Sequence, residues 1–114
     1  MTTLDPKQGY VTLINTFRVK PGKADELVRF LAEATEKAIG ETPGFISANF
    51  HVSLDGTRVV NYAQWRSQAD FERMRSSEEF KKHTAAAEAM IEDFEPVLYE
   101  LRYSHAKQRE EALA

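Results

Sequence analysis

Apolar and polar side chains alternate along four stretches of the chain. This alternation predicts β-strands, because successive side chains of a strand point to opposite faces. The first stretch covers residues 10–19, and two more cover residues 44–52 and 59–67. Asp55–Gly56 lies between the second and third stretches and predicts a hairpin turn there. The fourth stretch covers residues 97–103, just after Pro96.

Apolar residues at three- and four-residue spacing predict helices between these strands. One helix is expected over residues 23–39, and Gly40 is expected to end it. A longer one is expected over residues 78–94, with Pro96 closing the helical region. Residues 67–70 match a capping box, which predicts the start of a short helix that carries Phe71 and Met74 inward.

The predicted order of strand, helix, strand, strand, helix, strand is that of the split βαβ, ferredoxin-like α+β fold. It places a four-stranded antiparallel sheet in residues 10–103, between a flexible N-terminal arm (residues 1–9) and a charged C-terminal tail (residues 104–114). The helices are expected to cover one sheet face and to enclose a cavity against it. The other face would still expose apolar residues, which we expect to include Ile14, Ile46, Phe50, Tyr62 and Leu98. Such a face predicts a homodimer whose two sheets pack into a dimeric α+β barrel.

Composition narrows the classes of protein to which this chain can belong. Its 114 residues, 42% of them hydrophobic and 29% charged, are typical of one globular domain. A net charge of −3 gives no electrostatic reason to expect a nucleic acid or an anionic membrane as partner. There is no cysteine, and the three histidines are too scattered for a metal site. No apolar run approaches a membrane span or a signal-peptide core, so we expect a cytoplasmic protein.

Both faces of the predicted hairpin are largely apolar or aromatic, so its polar side chains are expected where water is scarce. On the third strand Asn61 shares a face with Trp65, and on the second His51 shares a face with Phe45. Asn15 interrupts the apolar face of the first strand. Each of these side chains either has a structural role or lines a pocket, and the pattern leaves both interpretations open.

Two motifs carry a resemblance to a known family. PGFISA at residues 43–48 and VVNYAQWRS at residues 59–67 resemble the antibiotic biosynthesis monooxygenase superfamily, especially its cofactor-independent anthrone monooxygenases of the actinorhodin type. The resemblance implies a dimeric α+β barrel that oxidises a polyphenol, quinol or anthrone-type aromatic with O2, without metal, flavin or haem. By motif position, the family's pocket Asn, Trp and His correspond to Asn61, Trp65 and His51, which are therefore the expected catalytic residues.

A cofactor-free oxygenase takes its electrons from a deprotonated substrate. The protein must then supply a flat apolar slot, a hydrogen-bond donor for the substrate oxyanion, and dry surroundings. We expect Asn61 to donate to the oxyanion and His51 to act as base or proton shuttle, because imidazole titrates near neutral pH. Trp65 is expected to form one wall of the slot. The expected substrate-binding residues are Asn15, Phe45, Phe71, Met74 and His83.

Departures from the family pattern leave two alternatives open. Phe71 stands where the resembled enzymes have Tyr, and their Arg on the last helix has no clear counterpart, with Lys81 and Lys82 nearest. The first alternative is therefore a non-catalytic dimeric ligand-binding module of the same fold. The second is a haem-binding or haem-degrading relative, because Asn15 matches the first-strand Asn of such members. Two further positions differ from those members: Met74 replaces their Trp, and His83 is one residue out of register with their haem ligand.

Overall fold

The computed structural model describes residues 1–107, so most of the predicted tail, residues 108–114, lies outside the described residues. Within this range the strands are β1 (Val11–Val19), β2 (Phe45–Val52), β3 (Arg58–Trp65) and β4 (Ile91–Glu100). The helices are α1 (Ala24–Lys37), α2 (Gln68–Arg75) and α3 (Glu78–Ala87). Single 3-10 turns cover Pro6–Gln8, Ile39–Glu41 and Glu88–Met90. No helix in residues 1–107 is long and apolar enough to cross a membrane.

The four strands form one antiparallel sheet in the order β2-β3-β1-β4. This order and the alternation of strands and helices confirm the predicted ferredoxin-like fold. The helices pack on one sheet face, where two clusters of buried residues form the core. One cluster surrounds Leu27 and Val59 beneath α1, and the other surrounds Trp65 and Phe71 beneath α2.

A β-bulge in β2 changes which of its side chains face the helices. Phe45 lies opposite Trp65, but Ser47 lies opposite Gln64, so Ile46 is an extra residue in this strand. An extra residue reverses the alternation on either side of it. The prediction that Phe45 shares a face with His51 was therefore wrong, because Phe45 lies on the helix face together with Phe50.

The second sheet face also differs from its prediction in composition. Phe50 lies opposite Asn61, and Leu98 lies opposite Leu13, which places both on the helix face rather than the open one. Ile14 and Tyr62 lie on the open face as predicted, together with Val60, Val97 and Tyr99. Ile46 is the unpaired residue of the bulge. The N-terminal arm lies against this face, where the Asn49 amide donates to Thr2 and the Gln64 amide donates to the Thr3 carbonyl.

The two longer helices end earlier than predicted. The helix expected through residue 94 ends at Ala87, and Ile91 already pairs with Val19 in the sheet. Ile91 and Phe94 fit a helical spacing of three residues. Both can also face the helices from a strand, because the register against β1 shifts at Glu92, and pairing with β1 decides between the two structures. Pro96 lies inside β4, an edge strand on which a missing N–H is tolerated. Gly40 does not cap α1 but lies in the next 3-10 turn, where a Cβ would be 2.7 Å from a backbone oxygen of α1.

A buried carboxylate, Asp70, joins the start of β2, the end of β3 and α2. Only 5% of its side chain is exposed. It accepts hydrogen bonds from Arg66 at 2.8 and 3.0 Å, from Arg73 at 2.8 Å and from the Ser67 hydroxyl at 2.8 Å. The backbone N–H of Arg66 in turn donates to the carbonyl of Gly44 at 2.7 Å. The Asp70 side chain lies so close to Gly44 that residue 44 has room only for glycine.

Substituting Gly44→Ala should therefore destabilise the fold strongly. Gly44 has a φ of +87°, and an added Cβ would lie 2.4 Å from Asp70 side-chain atoms. Backbone strain and steric overlap together predict a loss of about 2–4 kcal/mol in the free energy of unfolding, measured by urea denaturation. Gly56→Ala is the matched control, since Gly56 has a φ of +75° but nothing within 4 Å of an added Cβ. It should cost only about 1 kcal/mol. Equal losses in the two variants would contradict this account of Gly44.

Candidate active site

A cavity of about 380 Å³ lies between the helix face of the sheet and the helices. This is where the sequence pattern predicted a cavity, and its volume is within the range of about 300–1,000 Å³ that is usual for small-molecule sites. Its lining is mainly apolar and aromatic, with side chains from all four strands and all three helices of the described chain. The cavity reaches both core clusters, because Phe17 of one and Trp65 of the other contribute to its wall.

Three aromatic rings form one end of the cavity. Trp65, at the end of β3, is 1% exposed. Its indole meets the ring of Phe45 edge-to-face with centroids 5.5 Å apart, and the ring of Phe71 at 5.8 Å. Met74 lies one helical turn after Phe71 on α2 and lines the same space. The structure thus brings together Trp65 and three of the residues expected to bind substrate, and the bulge at Ile46 is what turns Phe45 toward them.

Two amides lie side by side on the floor of the cavity. Asn15 on β1 and Asn61 on β3 lie directly opposite in the register and both line the cavity. The Oδ1 atom of each is buried and has no hydrogen-bond partner within the described chain. An unpaired buried polar atom is unfavourable unless something satisfies it. The interpretation of Asn15 as an amide bonded to backbone therefore does not hold for its oxygen.

His51 does not belong to this constellation. It lies opposite Val60, on the sheet face that is turned away from the helices, and it is exposed. The prediction that it joins Asn61 and Trp65 was wrong because the bulge sends Phe45 into the cavity and His51 to the other side.

His83 on α3 lines a small annex of about 60 Å³ that shares several wall residues with the main cavity, among them Asn15 and Phe80. Its ring packs edge-on against Phe30 of α1, with centroids 6.1 Å apart. Its Nδ1 atom is buried without a partner, and its Nε2 atom lies 3.9 Å from a carboxylate oxygen of Glu79. Asn15 and His83, the two residues behind the haem hypothesis, thus border one annex, which is far smaller than a porphyrin.

Charged residues that the sequence pattern does not predict lie at the rim of the cavity. Arg75, Lys81 and Glu88 line it and are exposed, and Lys81 is one of the two lysines nearest the position of the family's Arg. Arg75 could have been found from spacing, because it follows Phe71 by four residues on the inward side of α2. In residues 1–107, no group of three or more His, Asp or Glu side chains is arranged to hold a metal ion.

Comparisons with known proteins agree with this geometry. The antibiotic biosynthesis monooxygenase family matches residues 10–86. Tetracenomycin-F1 monooxygenase of Streptomyces glaucescens is 48% identical over 83 residues, which cover 73% of this chain and 74% of that protein. A Streptomyces coelicolor monooxygenase crystallised with nanaomycin D is 28% identical, with 91% of this chain and 96% of that chain covered and a TM-score of 0.77. SnoaB, a cofactor-independent oxygenase of Streptomyces nogalater, is 25% identical, with coverage of 87% and 99% and a TM-score of 0.76.

The chain therefore belongs to the antibiotic biosynthesis monooxygenase family. The relatives also confirm the predicted enzyme class, a cofactor-independent monooxygenase and hence an oxidoreductase. Their names indicate monooxygenase activity in antibiotic biosynthesis. The substrate of this chain has to be argued from its own cavity.

The position of α2, and with it of Phe71 and Met74, depends on the ionised form of Asp70. Hydrogen bonds from Arg66, and then from Ser67 and Arg73, hold the pKa of the Asp70 carboxyl well below its usual range. A carboxyl whose pKa is lower in the folded than in the unfolded chain stabilises the fold above the unfolded pKa, near 4, and this contribution is lost as the pH falls through the folded pKa.

We therefore expect Asp70→Asn to lower stability at pH 7 and to flatten the pH dependence of unfolding below about pH 4. Thermal melts between pH 7 and pH 2 measure both effects. Asp25→Asn, which removes an exposed carboxylate of α1, serves as control and should keep the wild-type pH dependence. If the stability of Asp70→Asn fell between pH 4 and pH 2 as steeply as that of the wild type, ionised Asp70 would not stabilise the fold in this way.

Proposed function

We propose that the protein oxidises a planar polyphenol, quinol or anthrone-type aromatic with O2, without a metal, flavin or haem. The observation that carries this proposal is the pair of unpartnered amides, Asn15 and Asn61, at the floor of a cavity closed by aromatic rings. An apolar cavity with a few convergent polar groups is suited to a flat organic molecule that bears one or two oxygens. The names of the relatives support the same chemistry.

The reaction needs a stabilised substrate anion. For an anthrone, the CH2 carbon loses a proton, and the resulting enolate transfers one electron to O2. The substrate radical and superoxide then form a carbon–oxygen bond, which gives a peroxide. Loss of the second carbon-bound proton with cleavage of the O–O bond leaves a carbonyl group and water. The carbon is oxidised by four electrons and O2 is reduced by four, so no other oxidant or reductant is required.

The two amides and the aromatic rings have distinct roles in this scheme. An Asn side chain can present either its oxygen or its NH2 group after rotation of the amide, and the NH2 group can donate to the enolate oxygen. Asn61 is assigned this donation, and Asn15 binds a second substrate oxygen from the neighbouring strand. The rings of Trp65, Phe45 and Phe71 hold the substrate plane and exclude water, which strengthens the hydrogen bond to the developing charge.

A homodimer is part of the proposal. The open sheet face carries Ile14, Val60, Tyr62, Val97 and Tyr99, with Ile14 at its centre between β3 and β4. An apolar face of this kind is best covered by a second copy of the same sheet, because a two-fold axis lets one surface bind itself. We expect no nucleic acid or membrane partner, in keeping with the net charge of −3.

The oxygenase proposal is tested by O2 uptake with emodin anthrone, using protein dialysed against EDTA. The wild-type protein should turn over the substrate with metal removed. Asn61→Ala should lower kcat about 10²–10³-fold, because it removes a donor to the oxyanion, and Trp65→Phe should lower it roughly tenfold by loosening the slot. Asn49→Ala is the matched control, since this Asn lies on the adjacent strand but faces away from the cavity.

Asn49→Ala should stay within about twofold of the wild-type rate of O2 uptake, because it leaves the proposed oxyanion site untouched. If emodin anthrone binds, as seen by a thermal shift, while O2 uptake stays at the spontaneous rate in every variant, the alternative of a non-catalytic binding module takes precedence. A Soret shift on titration with hemin would instead favour the haem-binding alternative.

The dimer is tested by sedimentation equilibrium. The wild-type chain should sediment as a dimer at micromolar concentration. Ile14→Lys should sediment as a monomer, because it places an unpaired charge at the centre of the proposed interface. Lys7→Glu, which changes a charge in the arm, is the control and should remain dimeric. A monomeric wild-type protein would rule the homodimer out.

A further inference from the structure

Three side-chain polar atoms in residues 1–107 are buried without a hydrogen-bond partner: Asn15 Oδ1, Asn61 Oδ1 and His83 Nδ1. All three belong to residues that line the cavity or its annex. Native folds rarely leave such atoms unpaired, so their concentration in one place indicates a ligand or reaction that uses them. The amides are accounted for by substrate binding, but the imidazole is not.

His83 has the surroundings of a positioned base. Its Nδ1 atom is buried beside the annex, while its Nε2 atom faces the carboxylate of Glu79, one helical turn earlier on α3, at 3.9 Å. The elements packed around the ring contribute no other charged group to the annex wall: α1 contributes Leu31 and Ala34, and β1 and β4 contribute uncharged side chains. Phe30 of α1 packs against the ring itself. Glu79 is therefore the carboxylate that faces the imidazole ring from its own helix.

The other candidate bases of the described chain are badly placed. His51 lies on the opposite sheet face, and His105 lies in the exposed stretch after β4. Asp70 is bonded to two arginines and does not line the cavity. Glu88 and Lys81 lie at the rim of the cavity and are exposed to solvent.

We propose that His83 is the proton acceptor of the oxygenation and that Glu79 is its positioning residue. This inference rests on the proposed function. The annex, at about 60 Å³, is too small for the substrate but large enough for a water molecule, which can bridge Asn15 and the Nδ1 atom of His83. The first proton leaves the substrate carbon through this water to Nδ1 and returns to the peroxide oxygen. The second carbon-bound proton follows the same route and leaves in the product water, so the imidazole ends the cycle neutral.

The first test uses His83→Gln in the full-length protein with emodin anthrone. Loss of the base should lower kcat about 10²-fold while KM stays within about threefold. The loss should shrink as the pH rises, because the substrate then ionises without help. A merely structural role for His83 would reduce the rate equally at every pH. His105→Gln, which removes an exposed imidazole, is the control and should behave as wild type.

The second test needs no turnover. Emodin changes colour when its phenol ionises, so its visible spectrum in the bound state reports whether a base accepts its proton. Bound emodin should ionise at lower pH in the wild-type protein than in His83→Gln, and Glu79→Gln should fall between them. Glu78→Gln, at a neighbouring position whose side chain is exposed, should match wild type.

The outcomes separate this inference from the oxygenase proposal. Identical emodin ionisation and identical pH profiles in wild type and His83→Gln would overturn the role of His83. If Asn61→Ala still lowers O2 uptake in that case, the oxygenase proposal stands without it. If no protein variant takes up O2, the oxygenase proposal fails and the role of His83 in it fails as well. Less ready ionisation of bound emodin in His83→Gln would then show only that His83 accepts a proton from a bound phenol.

Discussion

The buried carboxylate of Asp70 is the contact on which the geometry of the site depends. It binds Arg66 at the end of β3 and Arg73 on α2, and it accepts a hydrogen bond from the hydroxyl of Ser67, which caps the start of that helix by accepting the backbone N–H of Asp70. Its close approach requires a glycine at position 44, where β2 begins. One ionised group thereby sets the distance between the sheet and α2. The helix that carries Phe71 and Met74 cannot slide without breaking these hydrogen bonds, so the aromatic end of the cavity is preorganised.

The aromatic end of the cavity is held rigidly, whereas the middle of the domain contains two polar side chains, Asn15 and Asn61, whose oxygens have no hydrogen-bond partner within residues 1–107. The two core clusters supply apolar burial on either side, and the cavity lies where they meet. Placing Asn15 and Asn61 there costs stability, because their buried oxygens lack partners. Buried polar atoms normally form hydrogen bonds, and the places where a native fold leaves them unpaired are usually functional sites. Aliphatic residues at these two positions would stabilise the domain and leave nothing for an oxyanion to bind.

The fold by itself does not decide among functions, since one architecture hosts many chemistries. In the function proposed above, a group that moves protons is what distinguishes an oxygenase from a binding module. The imidazole of His83 borders the annex on one side and faces the exposed carboxylate of Glu79 on the other. It links the cavity to solvent without opening the aromatic end to water.

Much of the fold followed from the chain alone. Period-2 alternation and the Asp55–Gly56 turn predicted the central strands, and motif positions placed Asn61 and Trp65 on one face of β3. These features are local, so a single sequence contains them. The residue at which α3 ends is not set by local sequence. The residues from Ile91 onward suit either a helix or a strand, and pairing with β1 decides between them.

Tertiary structure alone decided the membership of the site. The bulge at Ile46 depends on how β2 registers against β3, and it moved Phe45 into the cavity and left His51 outside. The annex beside His83 exists only because α1, α3 and the sheet meet there. Sequence spacing specifies which side chains share a face of one element. Which faces then meet, and what space remains between them, is set by packing between elements that are distant in the chain.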